Sequence, residues 1–199
     1  MEHYFTNNES LESKLHVIDY NYNDYKFSFW SDAGVFSKNK IDYGSRFLIE
    51  TILNNYSSKN IDILDVGCGY GFMGITLSKL LSSKVDMIDI NLRAVGLASK
   101  NILENKVNAN VFESNIYEGV TNTYDLIVTN PPIRAGKVVV LSILENAKNY
   151  LKDSGEVWFV MRKDHGAKSI EKTLKKSYNC NIVKKSKGFY VFCLKTVDK

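Results

Sequence analysis

The stretch LDVGCGYGFMG, residues 64–74, decides the fold. It follows the apolar start of IDILDV (61–66), a run of strand length. It then sets Gly67, Gly69 and Gly71 at alternate positions and opens GFMGITLSKLL (71–81), apolar at helical spacing. Strand, glycine turn and helix in that order form one βα unit. The glycines let the backbone turn sharply and come close to a ligand, and the helix start presents unpaired N–H groups. A glycine pattern alone also suits an ordinary tight turn. Its place adds weight, because ligands of open parallel sheets bind beyond the carboxyl ends of the strands, at the switch point that the first central strand borders.

Outward from this unit the two periodicities alternate. KVDMIDI (84–90) reads as a strand, and NLRAVGLASKNILENK (91–106) as a helix with Ala94, Val95, Ala98, Ile102 and Leu103 on its inner face. NANVFES (108–114) and YDLIVTN (124–130) are strands, and KVVVLSILENAKNYL (137–151) is a helix broken by KDSG. EVWFVMR (156–162) is a strand, GAKSIEKTLKKS (166–177) a helix, and CNIVKKSKGFYVFCLK (180–195) a closing hairpin that turns at Lys187–Gly188. Upstream, residues 15–32 alternate on both sides of a turn cluster at 21–24, a β-hairpin with Val17, Phe27 and Phe29 on its strand faces. SRFLIETILNNY (45–56) puts Phe47, Leu48, Thr51 and Ile52 on one helical stripe. The pattern predicts an α/β fold: a Rossmann-like, seven-stranded, mostly parallel sheet with helices on both faces and its last strand antiparallel, plus an N-terminal β-hairpin appendage.

The 199 residues suit one domain, and 44% hydrophobic residues suffice for a core. No uncharged apolar run is long enough for a membrane helix, and the polar N-terminus MEHYFTNNESLESK does not resemble a signal peptide. A soluble cytoplasmic protein is the expectation. Cys68, Cys180 and Cys193 lie far apart without metal-ligand spacing, so no metal site and a reducing compartment are expected. Charge is uneven: residues 161–199 carry 11 Lys/Arg against 3 Asp/Glu, the remainder 15 against 19. A basic third of this kind is either a nucleic-acid footprint or a solvated lysine-bearing helix and hairpin.

Asp89 ends the strand after the glycine loop, where a carboxylate accepts hydrogen bonds from ribose hydroxyls. It is equally placed to cap the next helix. Adenosyl or dinucleotide cofactors follow, with NAD and S-adenosylmethionine in competition. Two departures favour S-adenosylmethionine. Asp65, inside the strand, suits a cationic amino-acid tail better than a pyrophosphate, and position 72 is Phe72 where a dinucleotide fingerprint has glycine.

The chain's two prolines sit side by side in TNPPIR. Pro131 and Pro132 fix two φ angles, remove two N–H donors and push Asn130 out of the helical region, giving a stiff ledge whose backbone carbonyls are expected to be free acceptors. Asn130 adds a side-chain acceptor that does not ionise. Two acceptors gripping a planar exocyclic amine hold it in line with a methyl donor and favour the developing tetrahedral nitrogen. A rigid strand-ending turn is the plainer alternative.

With LDVGCGYG and MIDIN upstream, Asn-Pro-Pro resembles the class I S-adenosylmethionine-dependent methyltransferases that modify amino nitrogens. HYF at His3, DAGVFS (32–37), IDYGSRFLIE (41–50) and NPPIRAGK (130–137) extend the resemblance to the small single-domain branch of the 16S ribosomal RNA guanine-N2 methyltransferase family. The resemblance implies methyl transfer from S-adenosylmethionine to the exocyclic N2 of a guanine in ribosomal RNA, free or in the small subunit. It implies that Asp65, Gly67, Gly69 and Gly71 hold the methionine part, Asp89 with neighbouring Ile90 the ribose, and Asn115 the adenine edge. Asn130, Pro131 and Pro132 would present the target amine. Many relatives place Phe or Tyr after Asn-Pro-Pro to stack on the base; here the residue is Ile133, so stacking is sought from Phe36 or Tyr70, and Arg134 is a candidate for phosphate or base contact. Residues 1–44 are expected to form the hairpin and a covering loop, and 45–199 the methyltransferase domain. RNA recognition is left to that appendage, the basic C-terminal third or a dimer partner. Methylation of adenine N6 or a protein glutamine, and a non-catalytic cofactor- or RNA-binding module, remain the competing readings. An NAD dehydrogenase lacks a His/Asp or Tyr/Lys constellation at the strand ends.

Overall fold

A computed structural model of the protein describes residues 12–197; His3 lies outside them. Strands β1 (His16–Tyr22) and β2 (Tyr25–Ser31) form an antiparallel hairpin. Helix α1 (Tyr43–Asn55) follows. Then β3 (Asp62–Val66), α2 (Phe72–Leu81), β4 (Lys84–Asp89), α3 (Leu92–Asn105) and β5 (Ala109–Glu113) alternate. The second half runs β6 (Tyr124–Thr129), α4 (Lys137–Asn146), β7 (Leu151–Arg162), α5 (Ala167–Leu174), β8 (Tyr178–Ser186) and β9 (Phe189–Thr196). Seven strands make one sheet in the order β5-β4-β3-β6-β7-β9-β8. β3 to β7 are parallel; β9, last in sequence, is antiparallel to both β7 and β8 and sits between them.

The sheet is buried on both faces, as a parallel sheet must be when crossover helices cover it. Ile63 and Val128 face a core shared with α1, α2, α3 and the hairpin, whereas Leu64, Ile127 and Phe159 face one shared with α4 and α5. Phe47, Leu48, Thr51 and Ile52 are the buried stripe of α1. The crossovers reverse direction between β3 and β6, so the carboxyl ends of these neighbours open the crevice where such sheets bind ligands.

Three expectations are corrected. On α3, Leu103 is 76% exposed, and the buried positions include Asn101 and Asn105. Their side chains meet the outer edge of β2: Asn101 accepts from Trp30 N–H at 2.7 Å and donates to Trp30 C=O at 2.9 Å, and Asn105 donates to Ser28 C=O at 2.8 Å and accepts from Ser28 N–H at 3.2 Å. A face built to read backbone is polar, so the apolar count misplaced it. In the hairpin, Ile18, Tyr20, Phe27 and Phe29 point inward, while Val17 is 45% exposed on the other face. Last, α4 ends at Asn146 and continues as a 3-10 turn to Tyr150, and KDSG lies within β7 as an irregularity opposite Tyr124–Leu126. The Tyr178 hydroxyl causes the helix to stop: it donates to Leu144 C=O at 2.9 Å and accepts from Lys148 N–H at 2.8 Å, inserting itself into the next i→i−4 bond.

Candidate active site

A cavity of 1080 Å³ opens beyond the carboxyl ends of β3, β4, β6 and β7. Its floor is the turn after β3. Gly67 and Gly69 adopt φ of 72° and 56°, and nothing lies within 4 Å of where a Cβ would stand on either, so the backbone itself is the lining. Gly71 serves packing instead: a Cβ there would meet Ile75 at 2.9 Å and Ala98 at 3.3 Å, and it lies outside the cavity wall.

Asp89 braces this turn from the next strand. One carboxylate oxygen accepts from Gly69 N–H at 2.8 Å and the other from Asn91 N–H at 2.9 Å. Burial raises its pKa above the ordinary carboxylate value, although backbone N–H donors, those of Asn91 and Gly69 among them, pull it back. Asp89 therefore does not cap α3; Asn91 does, accepting from Arg93 N–H at 3.0 Å. Ile90, 38% exposed, and Asn115 also line the cavity, with Asn115 donating to Glu118 at 2.9 Å.

Asp65 stands behind the floor and is fully buried. One oxygen accepts from Gly74 N–H at 2.8 Å, joining β3 to the first turn of α2, and the other has no hydrogen-bond partner. Burial pushes its carboxyl up to about 7, with the nearby Asp89 charge adding to the effect. An orphaned acidic oxygen beside a bare backbone turn, with a ribose-type acceptor one strand away, fits a cofactor that carries both a cation and a ribose. Among the described residues no group of His, Cys, Asp or Glu is placed to hold a metal.

The opposite wall is the ledge after β6. Asn130, Pro131, Pro132, Ile133 and Arg134 all line the cavity, all with trans peptide bonds. Pro132 C=O accepts from Ala135 N–H at 2.9 Å, so the expectation that both proline carbonyls stay free is corrected: a 3-10 turn over Ile133–Ala135 uses one, and the ledge's backbone acceptor falls to Pro131. The Asn130 amide nitrogen donates to Asp42 Oδ2 at 3.0 Å and Ser45 Oγ at 2.9 Å. An ionised carboxylate can only accept, so Asp42 fixes which end of the amide is nitrogen and leaves the side-chain carbonyl as the outward acceptor.

Asp42 does two things at once, since the same oxygen caps α1 by accepting from Ser45 N–H at 2.8 Å. Gly44 makes room for it: a Cβ there would stand 3.0 Å from both Asp42 and the Phe189 ring. Neither Asp42 nor Ser45 was singled out from the sequence. The signal present was a helix start, Asp followed by YGSRF; the link to Asn130, 88 residues on, has no local trace.

The segment between β2 and α1 forms the third wall. Gly34, Val35 and Phe36 line the cavity, and the segment is tied to α3 by Arg93, which donates to Ala33 C=O at 2.8 Å, and by Asn91, which donates to Gly34 C=O at 3.3 Å. Phe36, 36% exposed, lines the cavity, as does the ring of Phe189. Tyr70 lies outside this cavity, 4% exposed and packed 6.0 Å from Phe29, with its C=O accepting from Asn101 at 2.8 Å; together with Phe36 and Asn130 it lines a much smaller adjoining pocket. Arg134 is exposed at the mouth, which Arg162, His165 and Phe189 complete on the far side. Among the described residues no helix is long and apolar enough to cross a membrane.

Comparison with known proteins agrees with this geometry. The methyltransferase small domain family matches residues 26–193. YbxB of Bacillus subtilis is 38% identical over 98% of this chain and 99% of its own length. The ribosomal RNA small subunit methyltransferase C of Mannheimia succiniciproducens is 36% identical over 66% of this chain and 40% of its own. Among solved structures, a 16S rRNA N2 G1207 methyltransferase from T. thermophilus, in complex with AdoMet and guanosine, superposes with a TM-score of 0.82 at 22% identity, over 94% of this chain and 52% of that one. The chain thus spans about half or less of the methyltransferase C proteins it matches, and nearly all of the B. subtilis protein. A glycine turn braced by an acid, facing an Asn-Pro-Pro ledge across the switch point of a parallel sheet, places this chain in the methyltransferase small domain family, among the class I S-adenosylmethionine-dependent methyltransferases.

Proposed function

We propose that the protein transfers a methyl group from S-adenosylmethionine to the exocyclic N2 amine of a guanine in small-subunit ribosomal RNA. The observation that carries this reading is the hold on Asn130: with its nitrogen engaged by Asp42 and Ser45, only its carbonyl is left to meet a ligand, and what a carbonyl binds is a donor such as an amine. S-adenosylmethionine would supply an electrophilic methyl group on its sulfonium sulfur. Gly67 and Gly69 would hold it close to the backbone, Asp89 would accept from its ribose hydroxyls, and the free oxygen of Asp65 would favour its positive charge. Ser114, Asn115 and Ile116 lie at the end of β5 where the adenine would rest.

Asn130 Oδ1 and the Pro131 carbonyl would each accept one hydrogen of the amine and turn its nitrogen lone pair toward the methyl carbon. Transfer would leave S-adenosylhomocysteine, and the methylated nitrogen, made acidic, would release its surplus proton to water. No strong base is needed. The ledge stabilises the positive charge that grows on nitrogen, which is electrostatic preorganisation. Cys68 is no rival nucleophile, since burial, aided by Asp89 and Asp65, raises its thiol pKa well above the ordinary value. Of the described residues, the segment after the hairpin, 34–42, would act as the cover over this site, and 45–197 as the transferring domain. Ile133 and Phe36 would cover the faces of the base.

The reading is tested by tritiated methyl transfer from S-adenosylmethionine to small ribosomal subunits, free RNA, DNA and protein, with the labelled position mapped. Label on guanine N2 is expected. Label confined to adenine N6 or to a protein glutamine would overturn it.

A further inference from the structure

The basic C-terminal third does not form one surface. Lys168, Lys172, Lys175 and Lys176 belong to α5 and the turn after it, where Lys175 pairs with Glu171 at 2.7 Å. Lys195 pairs with Glu156 at 2.7 Å. The tip of the β8–β9 hairpin is different. Lys187 and Gly188 form its two-residue turn, both at positive φ. Lys184 and Lys187 face no carboxylate within ion-pair distance among the described residues; each ammonium instead lies over an aromatic ring of α1, Phe47 at 5.9 Å and Tyr43 at 5.1 Å.

The surroundings continue that pattern. Tyr43 packs 5.3 Å from Phe189 and donates to Ser186 Oγ at 2.9 Å, locking the hairpin tip to the first turn of α1. Arg46 lies 5.7 Å over Tyr43 and Arg162 5.5 Å over Phe189. Phe189 and Arg162 also line the cavity. Asp42, beside Tyr43, holds Asn130. Cations and rings thus alternate from Lys187 at the tip to Phe189 at the cavity wall, with Phe47 buried and stacked against Tyr43.

We infer that Lys184, Lys187, Tyr43 and Phe189 form the track for the single-stranded RNA that flanks the target guanine; this rests on the function proposed above. A guanine held at the ledge is deep in a cavity and cannot stay paired, so its neighbours leave the site as unpaired nucleotides. Unpaired strands are held by cations that follow the phosphates and by rings that take the bases, without regard to sequence. The tip offers both, and α5 offers only cations. The ring partners also fix where the two ammonium groups sit, which α5 does not do for Lys172 and Lys176.

The test compares K184Q/K187Q with the α5 pair K172Q/K176Q, in anisotropy titrations of a labelled single-stranded rRNA fragment over a range of salt, with S-adenosylmethionine affinity as the control for folding. The hairpin pair is expected to weaken RNA binding about tenfold at physiological salt and to flatten the slope of log affinity against log salt by about one to two. S-adenosylmethionine affinity should not change, and the α5 pair should match wild type in RNA affinity and salt slope. Wild-type slope and affinity in the hairpin pair would overturn the track, as would an equal loss in the α5 pair or competition by polyglutamate as strong as by RNA. Because binding is read without turnover, a wild-type protein that binds this RNA at the hairpin yet methylates another substrate would sink the proposed function and spare the track.

Discussion

The cofactor floor and the acceptor ledge lie on neighbouring strands, β3 and β6, yet they are held in opposite ways. The floor is held locally. Gly67 and Cys68 donate to Ile88 C=O and Gly69 to Asp89, so two adjacent strand ends and a short turn complete it. The ledge is held from a distance, by a carboxylate and a hydroxyl of the first turn of α1 on an element that precedes the central sheet. A site whose halves have separate supports is one in which the two proposed roles, cofactor binding and amine presentation, should be breakable independently.

Asn130→Ala should break the ledge alone. Its methyl transfer should fall at least about 100-fold in kcat, the scale of removing one preorganised polar group from a transition state, while calorimetry finds S-adenosylmethionine binding unchanged. Asp89→Ala should do the reverse, weakening S-adenosylmethionine by about tenfold to a hundredfold through two lost charge-assisted acceptors; equal affinity would remove its ribose role. Asp42→Ala sharpens the contrast, because its target is the orientation of Asn130. About a tenfold loss of kcat is expected without a change in cofactor affinity, together with about 1 kcal/mol of stability from the lost helix cap, read by urea denaturation. Asp42→Asn keeps a capping oxygen, so it should restore the stability but only part of the rate; full restoration of both would mean that the charge does not orient the amide.

A separate contrast concerns the floor's pH dependence. Asp65 has its pKa raised from 3.8 to about 7 in the folded protein, so the native state binds its proton more tightly than the unfolded chain does. Its contribution to stability is present below pH 3.8 and is lost as pH rises through about 7. The unfolding free energy of wild type minus that of Asp65→Asn should therefore fall across this window and be flat above it. A difference that rises with pH would show that Asp65 is held as an anion.

These two supports also explain what could be read in advance. The floor was legible because glycine spacing, the strand before it and the acid after it are close in sequence. The alternation of periods gave the sheet, its helices and its antiparallel closing strand. What escaped was non-local or polar. Asp42 and Ser45 act across 88 and 85 positions. Tyr178 ends α4 from 34 residues away. Asn101 and Asn105 left no signal, since a helix face that reads backbone has no apolar period. Tyr70 carried the right ring in the right loop, but it is buried against Phe29 with Asn101 on its backbone carbonyl.

The two asparagines of α3 have a further consequence for how the protein behaves in a crowded solution. A two-stranded hairpin leaves each strand with an open outer edge, and such edges invite pairing with other chains. On β2 the N–H and C=O groups of Ser28 and Trp30 are already answered by side chains. The helix thus stands in for a third strand that no incoming segment can displace without first stripping two buried amides of their partners. Replacing Asn101 and Asn105 with leucine would leave that edge unanswered and is expected to give a stickier protein as well as a looser one.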